Sequence, residues 1–257
     1  MLPAGLPAAE ITPLTRVHAH NDYQHRHPLF DALEQGFCSV EADVHLVSGR
    51  LLVAHLRLLT REARTLESLY LDPLTTRVRR NGGSVFPGGP EFVLLVELKD
   101  DWRVSYPTLR RVLEGYREIL TTYEKVADGH EVRQPRAVRV IVTGHRSRAM
   151  LAGESVRYVS LDGGLGDLKA GASADLVPWV SADWSDAFRW RGHGVFPADQ
   201  QARLTSLVAR AHEQGRRVRF WGSPDQAKFW RVLWNNGVDL INTDDLEGAG
   251  RFVRGLP

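Results

Sequence analysis

Eight apolar, β-branched runs punctuate this chain, near residues 15–19, 38–43, 92–97, 138–143, 156–161, 176–181, 217–221 and 238–242. Most are nearly continuous, as in Phe92-Val-Leu-Leu-Val96 and Val138-Arg-Val-Ile-Val142. Strands with one wet face alternate apolar and polar side chains. A continuous run belongs to a strand covered on both faces, as in a parallel sheet. Parallel neighbours need crossovers, and helical patterns lie between several of the runs. Pro28 to Gly36 reads as a short helix, with Pro near its start and Gly just past its end. Ser105 to Ala127 places Leu109, Val112, Leu113, Tyr116, Ile119, Leu120 and Tyr123 on one helical face, with Asp128-Gly129 as the stop. Ala198 to Gln214, Pro224 to Asn236 and a weaker Asp245 to Val253 complete the set.

Eight strands alternating with helices in 257 residues is the size expected of an α/β chain folded as one (β/α)8 TIM-type barrel. A doubly wound open sheet is the alternative, but no Gly-rich dinucleotide fingerprint follows the first strand. Residues 44–91 exceed a simple crossover. They are expected to form a long insertion between strands two and three: a hairpin at Leu51–Val53, a short helix near Leu66–Leu71 and a Gly/Pro-rich loop at Asn81–Pro90. A single domain over 1–257 is expected, and 43% hydrophobic residues suffice for its core.

Lys and Arg are scattered and the formal net charge is +2, so no nucleic-acid partner is expected. The one cysteine, Cys38, excludes an intrachain disulfide and a cysteine metal site, and reads as core packing. No apolar run reaches the roughly 18 residues of a membrane span. Residues 1–14 lack the basic start and continuous apolar centre of a signal peptide. A soluble chain is expected, cytoplasmic or secreted, and nothing in the pattern sets an oligomeric state.

The chemistry gathers where apolar runs end, as expected if functional groups sit at the C-terminal ends of barrel strands. The first run delivers His18 and His20, then Asn21 and Asp22; the second delivers Glu41 and Asp43. Side chains two apart in a strand share a face, and buried ionisable pairs are costly unless something uses them. The hairpin leads to His55, the third run to Glu97 and Lys99, and later runs to His145, Asp162, Trp221, Asn242 and Asp244. Glu41, Asp43 and Glu97 form an all-oxygen set suited to one Mg²⁺ or Ca²⁺. The bland reading is a carboxylate–lysine–arginine network capping the barrel. His20 and His55 are candidate general acid and base. Lys99 is placed to hold developing negative charge. His18, Asn21, His145, Trp221 and Asn242 are candidate substrate contacts. Trp184 and Trp190 read as pocket wall or core, and His25, His27, His45, His130, His193 and His212 as surface or loop residues.

At Ala19-His20, Glu41-Ala-Asp43 and Leu51-Leu-Val-Ala-His55 the chain resembles the phosphatidylinositol-phospholipase-C-like phosphodiesterase superfamily, and within it the glycerophosphodiester phosphodiesterases. Gly237-Val-Asp-Leu-Ile-Asn-Thr-Asp-Asp245 is similar to that family's last strand. The opening reads His18-Ala-His20-Asn21 instead of the usual His-Arg-Gly, and His55 is followed by Leu56 instead of Asp. With Ser68-Leu-Tyr-Leu-Asp-Pro-Leu74, these departures resemble the subgroup of altered-inheritance-of-mitochondria proteins and their bacterial relatives. Glu97-Leu-Lys99 is similar to the Asp-Leu-Lys of sphingomyelinase D. The resemblance implies a (β/α)8 barrel with a divalent cation on Glu41, Asp43 and Glu97, His20 and His55 as the acid–base pair, and Lys99 near the phosphate. It implies a metal-dependent phosphodiesterase whose partner is a small phosphodiester or a lysolipid or phospholipid. Asn21, Lys99 or His18 would replace the missing arginine contact. Two other readings compete: a zinc-dependent amidohydrolase-type barrel on His18 and His20, with His145 and Asp244 as further ligands, and a non-catalytic barrel that binds a phosphorylated ligand.

Overall fold

The computed structural model describes residues 11–127, 129–169 and 171–256. Eight parallel strands close into a barrel: β1 (Val17–Ala19), β2 (Ser39–Val47), β3 (Phe92–Leu98), β4 (Val138–Gly144), β5 (Val159–Gly163), β6 (Trp179–Asp183), β7 (Arg217–Trp221) and β8 (Leu240–Thr243). Neighbours in sequence are neighbours in the sheet, and β8 pairs with β1 to complete the circle. All eight expected runs contribute. The fifth is divided: Val156–Arg157 joins a small antiparallel sheet with Thr122–Lys125 and Glu131–Gln134, and only the part from Val159 enters the barrel.

The helices are α1 (Phe30–Glu34), α2 (Asp72–Arg80), α3 (Trp102–Glu114), α4 (Trp184–Ala187), α5 (Ala198–Glu213), α6 (Ala227–Asn235) and α7 (Leu246–Arg254). Among the described residues, the helical turns in the connections after β4 and β5 are the 3-10 turns Arg148–Leu151 and Leu165–Leu168. The helix expected over Ser105–Ala127 is corrected. It starts at Trp102, capped by the Asp101 carboxylate accepting from the Arg103 N–H at 2.8 Å, and stops at Gly115. The apolar residues beyond serve a turn and a strand, where β-branched Thr121 and Thr122 precede the buried Tyr123. Asp128 of the expected stop lies outside the described residues, as do residues 1–10 of the stretch read as lacking signal-peptide features.

The insertion after β2 holds the expected hairpin, with Arg50–Val53 antiparallel to β2. Its helix is longer than expected, because the wound segment Glu67–Leu71 runs straight into α2. Among the described residues, no helix is long and apolar enough to cross a membrane.

Alternate residues of each strand face opposite layers. Val17, Val40, Ala42, Val44, Leu94, Val96, Val140, Val142, Phe220 and Ile241 face outward into one apolar shell shared with the helices. Inside the barrel a smaller apolar cluster of Val93, Leu95, Ile141, Trp179 and Leu240 is separate from that shell. The remaining lumen positions are polar and set the stage for chemistry.

Candidate active site

Strand register brings the acids together. Asp43 on β2 pairs with Glu97 on β3, and Glu41 sits two residues earlier on the same face as Asp43. Ligand atoms of Glu41, Asp43 and Glu97 all lie within 4.8 Å of one another. Gly144, at the end of β4, makes room for Glu97. Its φ is +72°, and a Cβ there would meet Glu97 Cγ at 2.6 Å and the Leu98 carbonyl at 2.5 Å.

Beneath these acids lies a buried charge network centred on Arg219 of β7. Its Nη1 donates to Glu41 Oε2 at 3.1 Å and to Asn242 Oδ1 at 3.1 Å. Its Nη2 donates to Asp162 Oδ2 at 3.3 Å and its Nε to Ser181 Oγ at 3.1 Å. Ser181 in turn donates to Asp162 Oδ1 at 2.6 Å. His18 is fully buried, with Nδ1 2.6 Å from Ser39 Oγ and Nε2 3.2 Å from Glu41 Oε2. Burial pulls the His18 pKa down to about 4, against the hydrogen bond to Glu41. Burial alone would raise Glu41, but the Arg219 charge and His18 outweigh it and hold the carboxyl down at about 2.

Two imidazoles flank the rim. His20 Nδ1 lies 3.0 Å from Asp244 Oδ1. Burial lowers its affinity for a proton, yet the bond to Asp244 and the charge of Glu41 more than reverse this and raise its pKa. His55, half exposed, places Nδ1 3.2 Å from Asp43 Oδ2. Tyr23 ties the two sides together: its hydroxyl is 2.7 Å from Asp43 Oδ2 and 2.6 Å from Asn21 Oδ1. Asn21 itself adopts the left-handed region, with φ 47°, which asparagine tolerates. Lys99 bridges Asp43 at 2.8 Å and Glu97 at 2.9 Å. Burial lowers the lysine pKa but the two carboxylates prevail and raise it. Glu97 is pushed up by burial and by Asp43, against the pull of Lys99.

A cavity of about 730 Å³ opens over this floor, and its lining includes His20, Asn21, Glu41, His55, Glu97, Lys99 and Trp221 as well as Arg146 and Asp162. Of the expected substrate contacts, Asn21 and Trp221 line it. His18 and Asn242 do not; they are buried below, holding Glu41 and Arg219. His145 is exposed and outside the cavity wall. Its backbone N–H donates to the Leu98 carbonyl, which turns the residue after Gly144 away. Trp184 and Trp190 are core, packed in an aromatic cluster with Phe196 and Phe229. His45 is also buried, contrary to its reading as a surface residue.

The donor set fits a hard divalent cation. Every ligand candidate is a carboxylate oxygen, and Asp43 Oδ1 is buried without a hydrogen-bond partner. Four carboxylates (Glu41, Asp43, Glu97, Asp162) are paired to two cations (Lys99, Arg219), and Arg146 is a further cation on the cavity wall. The salt-bridge network expected as the bland alternative is also present, since each acid touches Lys99 or Arg219. The zinc site on His18 and His20 is not assembled. His18 Nε2 is taken by Glu41 and Arg219, His145 is elsewhere, and among the described residues the set with metal-holding geometry is the three carboxylates.

Residues 8–162, more than half the chain, match the family model described as AIM6-like phosphodiesterase domain. The chain belongs to the AIM6-like phosphodiesterase family. Residues 217–247 match the glycerophosphoryl diester phosphodiesterase family. Among relatives, altered inheritance of mitochondria protein 6 of Eremothecium gossypii is 30% identical over 95% of this chain and 70% of its own length. A homolog of that protein in Arthroderma benhamiae is 28% identical over 91% of this chain and 82% of its own. The crystal structure of a glycerophosphodiester phosphodiesterase from Parabacteroides distasonis shares the barrel, with a TM-score of 0.53 at 13% identity over 95% of this chain and 98% of its own.

In this AIM6-like barrel, two arginines of the site escaped the sequence reading. Arg219 lies mid-strand in Arg217-Val-Arg-Phe-Trp221, where two arginines at alternate positions read as one wet face. The usable signal was its spacing: Arg219 and Trp221 share a face in a run expected to be covered on both sides. Arg146 follows β4 and reaches back into the cavity. Its Nε donates to the Asp162 carbonyl and its Nη1 to the Gly144 carbonyl, so among the described residues its hydrogen bonds go to backbone oxygens. Nothing in Thr143-Gly-His-Arg146 marks the arginine over the histidine beside it.

Proposed function

We propose that this chain is a metal-dependent phosphodiesterase acting on a small or lipid-derived phosphodiester. The observation that carries the reading is the convergence of two imidazoles and Lys99 on a cluster of three carboxylates at the C-terminal mouth of a barrel. A divalent cation, Mg²⁺ or Ca²⁺, when bound by Glu41, Asp43 and Glu97 would neutralise charge on a non-bridging phosphate oxygen. Arg146 and Lys99 supply positive charge for the phosphoryl group in a chain that has Asn21, not the usual arginine, after the first histidine. His55, oriented by Asp43, takes the proton of the nucleophile, which is water or a neighbouring substrate hydroxyl. His20, whose proton affinity is raised by Asp244 and Glu41, gives a proton to the departing alkoxide, so the leaving group departs as a neutral alcohol.

A panel of phosphodiesters (glycerophosphocholine, lysophospholipids, sphingomyelin, inositol lipids) assayed with and without chelator tests this reading. Turnover is expected in Mg²⁺ or Ca²⁺ and is expected to vanish with chelator. His20→Ala and His55→Ala should each lower kcat by about 10²–10⁴ with little change in thermal midpoint, since both rings reach the cavity rim. Near-wild-type turnover in both variants would remove the assignment.

A further inference from the structure

The segment just past His55 presents leucines to solvent. Leu56 is 56% exposed, Leu58 96% and Leu59 62%. Single exposed leucines are ordinary, but three within four residues beside a candidate site are not. The turn is not frayed. Arg57 Nη1 donates to Asp100 Oδ1 at 3.1 Å and its Nη2 to the Leu46 carbonyl at 3.0 Å, while Thr60 Oγ1 donates to the Arg57 carbonyl at 2.8 Å. The leucines are thus held outward by a built support.

They border a second cavity of about 640 Å³, whose other walls include Val53, Ala54 and Tyr23. His55 lines this groove and also the acidic cavity. This mostly apolar groove, with Arg61 and Arg64 also on its wall, therefore adjoins the acidic cavity at His55. A substrate seated with its phosphorus over the acids would pass one substituent beside His55 and along the leucines.

We propose that this groove is a subsite for a single long hydrocarbon chain on the phosphodiester. The proposal rests on the phosphodiesterase reading above and deepens it. The groove is open to solvent on one side, so a chain lying in it buries part of its surface and leaves the rest wet.

The test uses alkylphosphocholines, which are themselves phosphodiesters, in an octyl, decyl and dodecyl series below micelle-forming concentration. They are titrated calorimetrically into the full chain in Mg²⁺ or Ca²⁺, with glycerophosphocholine as the chainless control. Affinity should rise about 2-fold per added methylene, half the free-energy gain of a fully buried CH₂. The combined variant Leu56→Ser, Leu58→Ser, Leu59→Ser should flatten that dependence while binding glycerophosphocholine as before. Because the three side chains are exposed, its thermal midpoint should be unchanged.

A flat chain-length dependence in the unmodified protein, with glycerophosphocholine still bound, overturns the subsite and leaves the phosphodiesterase reading standing. An equal slope in the variant overturns it too. So does a variant that loses co-sedimentation with phosphatidylcholine vesicles but keeps the soluble-chain slope, which would make the leucines a membrane contact. If no phosphodiester in either panel is bound or cleaved, the phosphodiesterase reading falls and takes the subsite with it.

Discussion

The same eight strands build two interiors by opposite means. Outward-facing residues such as Val40, Ala42, Val44, Val96 and Val142 join helices in an apolar shell. Inward-facing residues on these strands include His18, Glu41, Asp43, Asp162, Ser181, Arg219 and Asn242, all buried or nearly so. The shell is held by area removed from water, a non-directional term that tolerates substitutions of similar shape. The lumen is held by complementary charge and hydrogen bonds at low effective dielectric, where every group depends on a named partner. A fold can thus keep a stable exterior layer while concentrating reactive, desolvated groups a few ångströms away.

The largest expected effect breaks the lumen at its hub. Arg219→Met should cost about 3–5 kcal/mol of unfolding free energy, because Glu41 and Asp162 would remain buried without their cation. Adding Asp162→Asn should recover part of the loss, since one stranded charge is then gone. Leu204→Ala in α5, at a fully buried shell position, should cost about 2–5 kcal/mol with no such rescue. Urea unfolding of the four proteins reads both. If Arg219→Met is as stable as the parent, the lumen is not held by charge and the contrast fails.

That contrast also decides what was legible in the sequence. All eight strands could be found because their shell faces are apolar and β-branched. Glu41, Asp43, Glu97, His20 and His55 stood out because charged residues at the ends of such runs need a reason. Arg219 did not, because Arg217 and Arg219, two residues apart in Arg217-Val-Arg-Phe-Trp221, satisfy the pattern of a half-exposed strand equally well. The overlong helix after Ser105 has a similar cause. Tyr116, Ile119, Leu120 and Tyr123 fall at helical spacing, yet they pack from a turn and a strand, and Gly115 ends the helix first. Periodicity reports that a residue is buried, and only closure of the barrel determines what it meets.

A smaller effect appears at Asp22, which supports the first loop from outside the lumen. Its Oδ2 accepts from the Leu29 N–H at 2.6 Å and the Tyr70 hydroxyl at 2.9 Å, while Oδ1 is buried without a partner. Leu29 is pinned at φ 67°, a conformation leucine seldom adopts. Burial raises the Asp22 pKa to about 7, against the two donated bonds. A carboxyl raised in the folded state binds more protons there than in the unfolded chain. Its contribution is therefore full below about pH 4 and is lost as pH rises toward 7. Between pH 5 and 7 this should remove about 2 kcal/mol. Asp22→Asn keeps an acceptor for both donors and should flatten that part of the profile. His18 and His20 titrate in both proteins, so the difference between the two curves isolates Asp22. Parallel stability curves would show that Asp22 is charged in the folded protein.

The smallest effect places the same two residue types in water. On α7, Glu247 and Arg251 are four residues apart and paired, and both side chains are more than half exposed. Glutamate precedes arginine, the favourable order on a helix, and the arginine lies in the last turn, where the macrodipole welcomes a cation. Even so, water screens the pair and two long side chains must be ordered to form it. Arg251→Ala should change unfolding free energy by about 0.3–0.5 kcal/mol, and less as salt is raised. Arg219 with Glu41 is the same chemical pair at 3.1 Å with both side chains at most 5% exposed. A roughly tenfold difference between Arg251→Ala and Arg219→Met would assign the strength of the lumen to exclusion of water and not to the identity of its residues. Similar losses in the two variants would contradict that assignment.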